Sequence, residues 1–414
     1  MRFALLGADE ESLQLTEVAM ASGHQLVWCG DVGVAVRGGT ADHLLEADYL
    51  QEDQAEQWEV LFDPHFCDAA ILGQGCSAPA MRAEQLGQLS KNGIAVLATF
   101  PLVESVLSFY EIDMARSESG AVLHHFNPLV QQQPILEQLC AWVRDGHPHL
   151  GAVEQIVWER PLGDRSRERV LWHFARDVEL LDLVAGRLDR LGALGSPNEE
   201  VTYRGLSVQL LGASQVPVRW SLGPVQQSDA PRLILVAQQG KVTAEFSSVG
   251  QTTQLETLQE GTTRSMTVNS TPAASIALEH FVAAVETGDS ASSTWPSALR
   301  AMELTDTIEI SLRRGRMIDV HPQQLTEELA FKGAMSALGC GVLIAVVPLL
   351  LSIGWLAEQI GIPVAGYWPH VLFALLALFL VLQLVPKLLM SASNSGGSAS
   401  SDRSDRNATG SPTD

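Results

Sequence analysis

The strongest constraint on this chain is a pair of apolar runs near its C-terminal end. Ala334–Ala357 (AMSALGCGVLIAVVPLLLSIGWLA) carries no charge over about 24 residues, and Gly361–Pro386 is again uncharged, with VLFALLALFLVL at its centre. About 20 apolar residues in a helix cross the hydrocarbon core of a bilayer. Soluble helices keep a polar stripe, and neither run has one. Joined by a turn whose only charge is Glu358, the runs predict a transmembrane hairpin with spans 334–357 and 361–386. Tyr367 and Trp368 stand where interfacial aromatics are expected. Arg313, Arg314, Arg316 and Lys332 precede the hairpin, and Lys387, Arg403 and Arg406 follow it. Basic residues on both flanks place both flanks in the cytoplasm. The expectation is an integral protein of the cytoplasmic membrane whose first partner is the lipid bilayer. Its soluble body, a linker at 322–333 and a disordered, serine-rich tail at 387–414 all lie on the cytoplasmic side.

The roughly 330 residues before the hairpin are enough for two domains with their own cores. A net charge of −22 over the 414 residues argues against nucleic acid, whose binders need basic patches. The opening MRFALLGADEE has too short an apolar run for a signal peptide. Cys29, Cys67, Cys76, Cys140 and Cys340 show no CxxC spacing, so a reduced compartment is expected, with neither a disulfide frame nor a metal site. His124-His125 and His147-Pro148-His149 are the other histidine clusters. Adjacent histidines on a strand point to opposite faces, a poor arrangement for one metal.

Short apolar strands alternate with helices through the first part of the body. RFALLG, QLVWC, DAAILG, IAVLATF and AVLHHF read as strands, with helices near 78–91 and 103–116 between the later ones. Strands without polar alternation are buried on both faces, so this is a doubly wound, Rossmann-like α/β domain over 1–126. Leu13, Val18 and Met20 supply the expected buried side of its first helix, which Gly23 ends. From 127 to 321 the texture is α+β. A helix is expected over 174–190, then strands 201–211, 216–222, 232–238, 241–246 and 263–268 in an open antiparallel sheet, then helices 276–286 and 296–314.

Three stretches in this order resemble the glucose-fructose oxidoreductase/inositol dehydrogenase (Gfo/Idh/MocA) family. They are RFALLGA with its β-α-β unit, CDAAILGQG followed by KNGIAVLATFPLVES, and SALRAMELTDTIEISLRRGRMIDV. RDVELLDLVAG is similar to the family helix that follows its active-site acid and histidine. The resemblance implies a Rossmann domain plus an α+β domain, an NAD or NADP cofactor, oxidation of a sugar or polyol alcohol, and a homo-oligomer paired through the open sheet face. The hairpin lies outside the family pattern.

The resemblance also marks the site positions, and most of them are altered. The family's glycine-rich loop is here Gly7-Ala8-Asp9-Glu10-Glu11-Ser12. Gly7 and Ala8 keep the small residues that let a pyrophosphate approach a helix N-terminus. Three consecutive acids would repel it, and they equally suit a helix start with no ligand. Asp31 falls where the ribose-binding acid stands, and is also a reasonable solvated turn residue. Gly73 follows the third strand. The family's catalytic lysine position holds Phe100, the expected apolar wall of the cleft. Its acid and histidine positions hold Trp172 and Arg176, and none of the three can take a hydroxyl proton. One residue on, His173 and Asp177 offer the same pair in reversed order, sharing a helix face either for catalysis or as a structural hydrogen bond. The expected protein is a membrane-anchored, oxidoreductase-like chain with a degenerate site, used in binding or scaffolding. The rival reading is a working NAD(P)-dependent oxidoreductase.

Overall fold

The computed structural model describes residues 1–32, 54–63, 65–75, 77–103, 105–132, 134–195, 202–203, 205–223, 230–246, 252–269 and 271–320. All of them belong to one compact unit, Met1–Pro322. Among them no helix is long and apolar enough to cross a membrane. The linker, hairpin and tail predicted for 322–414 lie outside the described residues.

Five parallel strands form the first sheet in the order β2-β1-β3-β4-β5: β1 Arg2–Leu6, β2 Gln25–Gly30, β3 Ala69–Leu72, β4 Ala95–Thr99 and β5 Leu123–Phe126. Both faces are covered, which is why these strands read as unbroken apolar runs. Ala4, Leu6, Ala70, Leu72, Val96 and Ala98 share one core with α2 (Pro79–Lys91) and α3 (Val106–Ser119). Phe3, Leu5, Ala69, Ile71, Ala95 and Leu97 face α1 (Glu10–Ala21) on the other side. The fully buried stripe of α1 is Ser12, Leu15, Thr16 and Ala19; of the expected residues, Leu13 and Val18 are half-buried against the same core and Met20 is 37% exposed. The stripe turns because a helix from late in the chain also packs on α1. After α4 (Ile135–Asp145), the second sheet and α5 (Arg167–Ala185), the chain returns in α6 (Ala273–Thr287). Ala274, Ala277, Leu278 and Phe281 of α6 close this face of the first sheet.

The second sheet has nine strands in the order β13-β12-β11-β10-β6-β9-β8-β7-β14. They are β6 Val153–Pro161, β7 Leu188–Leu194, β8 Ser207–Gly212, β9 Val218–Gly223, β10 Arg232–Ala237, β11 Gly240–Phe246, β12 Thr252–Gln259, β13 Thr262–Asn269 and β14 Ile318–Asp319. It is mixed rather than wholly antiparallel, because β6 and β9 pair in parallel. Trp158, Trp220, Leu210, Leu235 and Phe246 alternate inward and join the core that α5 and α7 (Trp295–Arg314) cover. Helix α5 begins at Arg167, earlier than the apolar run suggests, and stops at Ala185. Val170, Phe174, Val178 and Leu181 form its buried line at helical spacing.

Candidate functional site

The strand order reverses direction between β1 and β3, and open α/β sheets bind ligands at the carboxyl ends of the strands there. Gly7 and Gly73 meet at this point. A Cβ on Gly73 would lie 2.4 Å from Ser12 Oγ and 3.0 Å from the Gly7 carbonyl oxygen, so the loops touch. Gly7 has φ +77° and donates its N–H to the Gly30 carbonyl at 2.8 Å. Ala8 connects it to Asp9, the N-cap of α1.

Asp9 ties the start of α1 to the ends of β3 and β4. Its Oδ1 accepts the Ser12 N–H at 2.8 Å, and the Asp9 N–H is donated to Ser12 Oγ at 2.9 Å. This reciprocal cap satisfies donors that an α-helix otherwise offers to an anion. Oδ2 accepts the Gln74 N–H at 2.8 Å and the Thr99 hydroxyl at 2.9 Å. A pyrophosphate in this place would meet a carboxylate already seated. Like unit charges 4 Å apart at an effective dielectric near 20 repel by roughly 4 kcal/mol.

Asp31 lies just beyond β2 with φ +54° and is 5% exposed. Its Oδ2 accepts from Arg82 Nη2 in a buried ion pair and from the Ser77 N–H at 3.1 Å. Arg82, on α2, is 1% exposed and also donates from Nη1 to Gln85 Oε1 at 2.7 Å. The residue expected to hold a ribose hydroxyl therefore holds a guanidinium.

Beside this point lies a cleft of about 280 Å³. Gln74 and Pro101 approach it from the first sheet, Trp172 from α5, and Met302, Asp306 and Glu309 from α7. Phe100 is not its wall. The Phe100 ring is 1% exposed and packs edge-on to Phe109 and His125, at 6.0 and 5.1 Å between centroids. The strand alternation turns Thr99 toward Asp9 and Phe100 into the core, leaving Pro101, Leu102 and Val103 to face the cleft. On the far wall Arg167 Nε meets Glu309 Oε1 at 2.5 Å, and this hydrogen bond holds Glu309 below the ordinary carboxylate pKa.

Helix α5 carries the remaining candidates. The Arg176 guanidinium lies 4.4 Å from the Trp172 ring centre and forms an ion pair with Glu11 at the start of α1. Burial raises the Glu11 pKa, and Arg176 partly offsets it. His173 and Asp177 share the helix but no hydrogen bond joins them. Asp177 is fully buried; it accepts from Arg160 through both oxygens and from Trp220 Nε1 at 2.8 Å. His173 lies edge-on to Trp172, and burial with the charges of Arg160, Arg176 and Arg169 lowers its pKa to about 2.

One network has no counterpart among the sequence candidates. His125 Nε2 lies 2.6 Å from Glu179 Oε1, which also accepts from Ser297 Oγ at 2.8 Å, while Asn127 Nδ2 donates to Glu179 Oε2 at 2.8 Å. Burial would raise the Glu179 pKa, but the charge and hydrogen bonds of these partners hold it below the ordinary value. Glu179 lies one turn beyond Ala175 on α5, with Arg176 and Asp182 three residues to either side. Arg82 stands at i, i+4, i+7 spacing with Leu86 and Leu89 of the buried face of α2. A charge on an apolar helical stripe was the signal for Arg82; Glu179, among other charges of α5, carried no such signal.

No family profile matches the chain, and no curated protein does. Solved structures do match in fold. An aldose-aldose oxidoreductase from Caulobacter crescentus, complexed with glycerol, is 15% identical with a TM-score of 0.61, over 77% of this chain and 99% of that one. A putative myo-inositol dehydrogenase from Sinorhizobium meliloti is 18% identical with a TM-score of 0.56, over 78% and 100%. A 3-ketoreductase from Actinomadura kijaniata, in complex with NADP, is 13% identical with a TM-score of 0.58, over 75% and 97%. The chain carries the two-sheet fold of these oxidoreductases.

Proposed function

We propose that this chain is a membrane-anchored binding or scaffolding protein built on an oxidoreductase fold, with hydride chemistry lost. It holds a small ligand or partner group in the cleft beside Trp172. The observation that carries this reading is the commitment of Asp177. A general base must reach the proton it removes and have a pKa near the working pH. Asp177 is spent on Arg160 and Trp220 Nε1, and His173 is kept neutral and weakly basic by its burial and by three neighbouring arginines. Phe100, Trp172 and Arg176 offer no base in their place. NAD or NADP is the cofactor the fold implies, and the residues present do not fit it: Asp9 caps α1 and Arg82 occupies Asp31. The uncharged runs at 334–357 and 361–386 support the anchor, and the basic flanks support a cytoplasmic body and tail.

A second reading is an NAD(P)-dependent oxidoreductase acting on a sugar or polyol. It is favoured by the fold shared with the NADP-bound 3-ketoreductase and by an open cleft at the strand ends.

One preparation tests both parts. The full chain should stay in the membrane pellet on alkaline carbonate extraction. Solubilised in detergent, it should show no reduction of NAD+ or NADP+ with a polyol and aldose panel at any pH between about 5 and 9. Release by carbonate removes the anchor. Turnover that disappears in His173→Ala restores the second reading.

A further inference from the structure

The space a dinucleotide takes in this fold runs from the loop after β1, over the start of α1, to the acid that follows β2. Here each of those places is filled by the chain. A Cβ built on Gly7 would lie 2.5 Å from Arg82 Nη2, and one on Gly75 would lie 2.6 Å from the same atom and 2.7 Å from Asp31 Oδ2. The guanidinium therefore rests directly on the bare backbone of two glycines and bridges the loop after β1, the loop after β3 and the end of β2. The backbone donors around it are engaged internally: Gly7 to Gly30, Ser12 and Gln74 to Asp9, and Ser77 to Asp31.

We propose that Arg82 and Asp9 are this chain's built-in substitute for a dinucleotide. The Arg82 guanidinium takes the place of the ribose at the β2 acid. The Asp9 carboxylate takes the place of the pyrophosphate at the helix N-terminus. The glycines then serve close approach of a side chain from α2, not of a ligand. Resident charges thus brace these three loops from within the chain. This inference rests on the loss of hydride chemistry argued above and gives it a structural cause.

The test uses the full chain in detergent, titrated with NADH and NADPH, with guanidinium chloride at millimolar concentration as competitor. Wild type should bind neither dinucleotide. Asp9→Gly/Arg82→Ala should bind one of them at least about ten-fold more tightly than wild type. Guanidinium should raise the melting temperature of that variant alone and abolish its dinucleotide binding, because it refills the space beside Asp31. If the double variant does not fold, Asp9→Gly/Asp31→Asn/Arg82→Gln removes the buried charges together and faces the same requirement of gained binding. Wild type binding a dinucleotide with Arg82 in place overturns the inference, as does a folded variant that gains nothing. Binding without turnover in wild type overturns this inference alone, and turnover in wild type overturns the functional reading with it.

Discussion

The switch point of the first sheet and the cleft beside α5 lie next to each other and have been treated in opposite ways. At the switch point, charged groups face inward and are matched within the chain: Asp31 with Arg82, and Asp9 with Ser12, Gln74 and Thr99. At the cleft, Asp306 and Glu168 remain exposed, and the walls mix Pro101 and Met302 with an arginine–glutamate pair. A shared fold thus keeps one half of a site in shape without a ligand and leaves the other half open. On the proposed reading, loss of cofactor chemistry need not loosen a fold. Buried charges that lose an external partner must acquire an internal one, because an unpaired buried charge is costly.

The largest effect expected from breaking this contrast is in the filled half. Asp31→Ala leaves the Arg82 guanidinium buried without its carboxylate, and removing one member of a buried pair costs about 3–5 kcal/mol. Chemical denaturation of the full chain in detergent should show that loss. A cost below about 1 kcal/mol would mean that water reaches Arg82 and the half is not closed.

Acid should act next, and on a different set of groups. His124 is buried, and burial with the nearby charges of His125 and His280 lowers its pKa to about 4; His173 beside the cleft is lowered further still. A histidine with a depressed folded pKa is neutral in the fold and takes up a proton on unfolding. Its contribution is fully present above the unfolded value of about 6.5 and is lost as pH falls toward the folded value. The His124 shift corresponds to roughly 3 kcal/mol lost between pH 6.5 and 4. His124→Gln should flatten the slope of stability against pH in that window. An unchanged slope would place the acid sensitivity elsewhere.

The smallest effect belongs to the open half. Asp306→Asn changes an exposed carboxylate and should alter stability by less than about 0.5 kcal/mol. A loss comparable to that of Asp31→Ala would show that the cleft is held together by its charges in the same way as the switch point.

Much of the fold was legible in the chain because its signals are local. The strands β1 to β5 are short apolar runs, and α7 repeats Met302, Thr305 and Ile308 at helical spacing with Pro296 in its first turn. Strands β7 and β12 were not anticipated. Leu188–Leu194 follows directly on α5 and contains Asp189 and Arg190, and Thr252–Gln259 is mostly polar and lies one strand in from the edge of its sheet. Their strand state comes from pairing with β8, β11 and β13. The site was less legible. Gly7, Asp31 and Gly73 stand at the predicted point, but Phe100 faces the core and Asp177 faces Arg160 rather than His173.

By itself the sequence determined the order of elements, the burial of both faces of the first sheet and the uncharged character of 334–357 and 361–386, because periodicity and composition are properties of neighbouring residues. Tertiary structure alone decided which charges meet. Arg82 finds Asp31 51 residues away, Glu179 finds His125 54 away, and Arg176 finds Glu11 165 away. Such pairs depend on which loops and helices the finished sheets bring together. They are selected by the cost of leaving a buried charge unmatched, and that cost exists only once the surrounding core has formed.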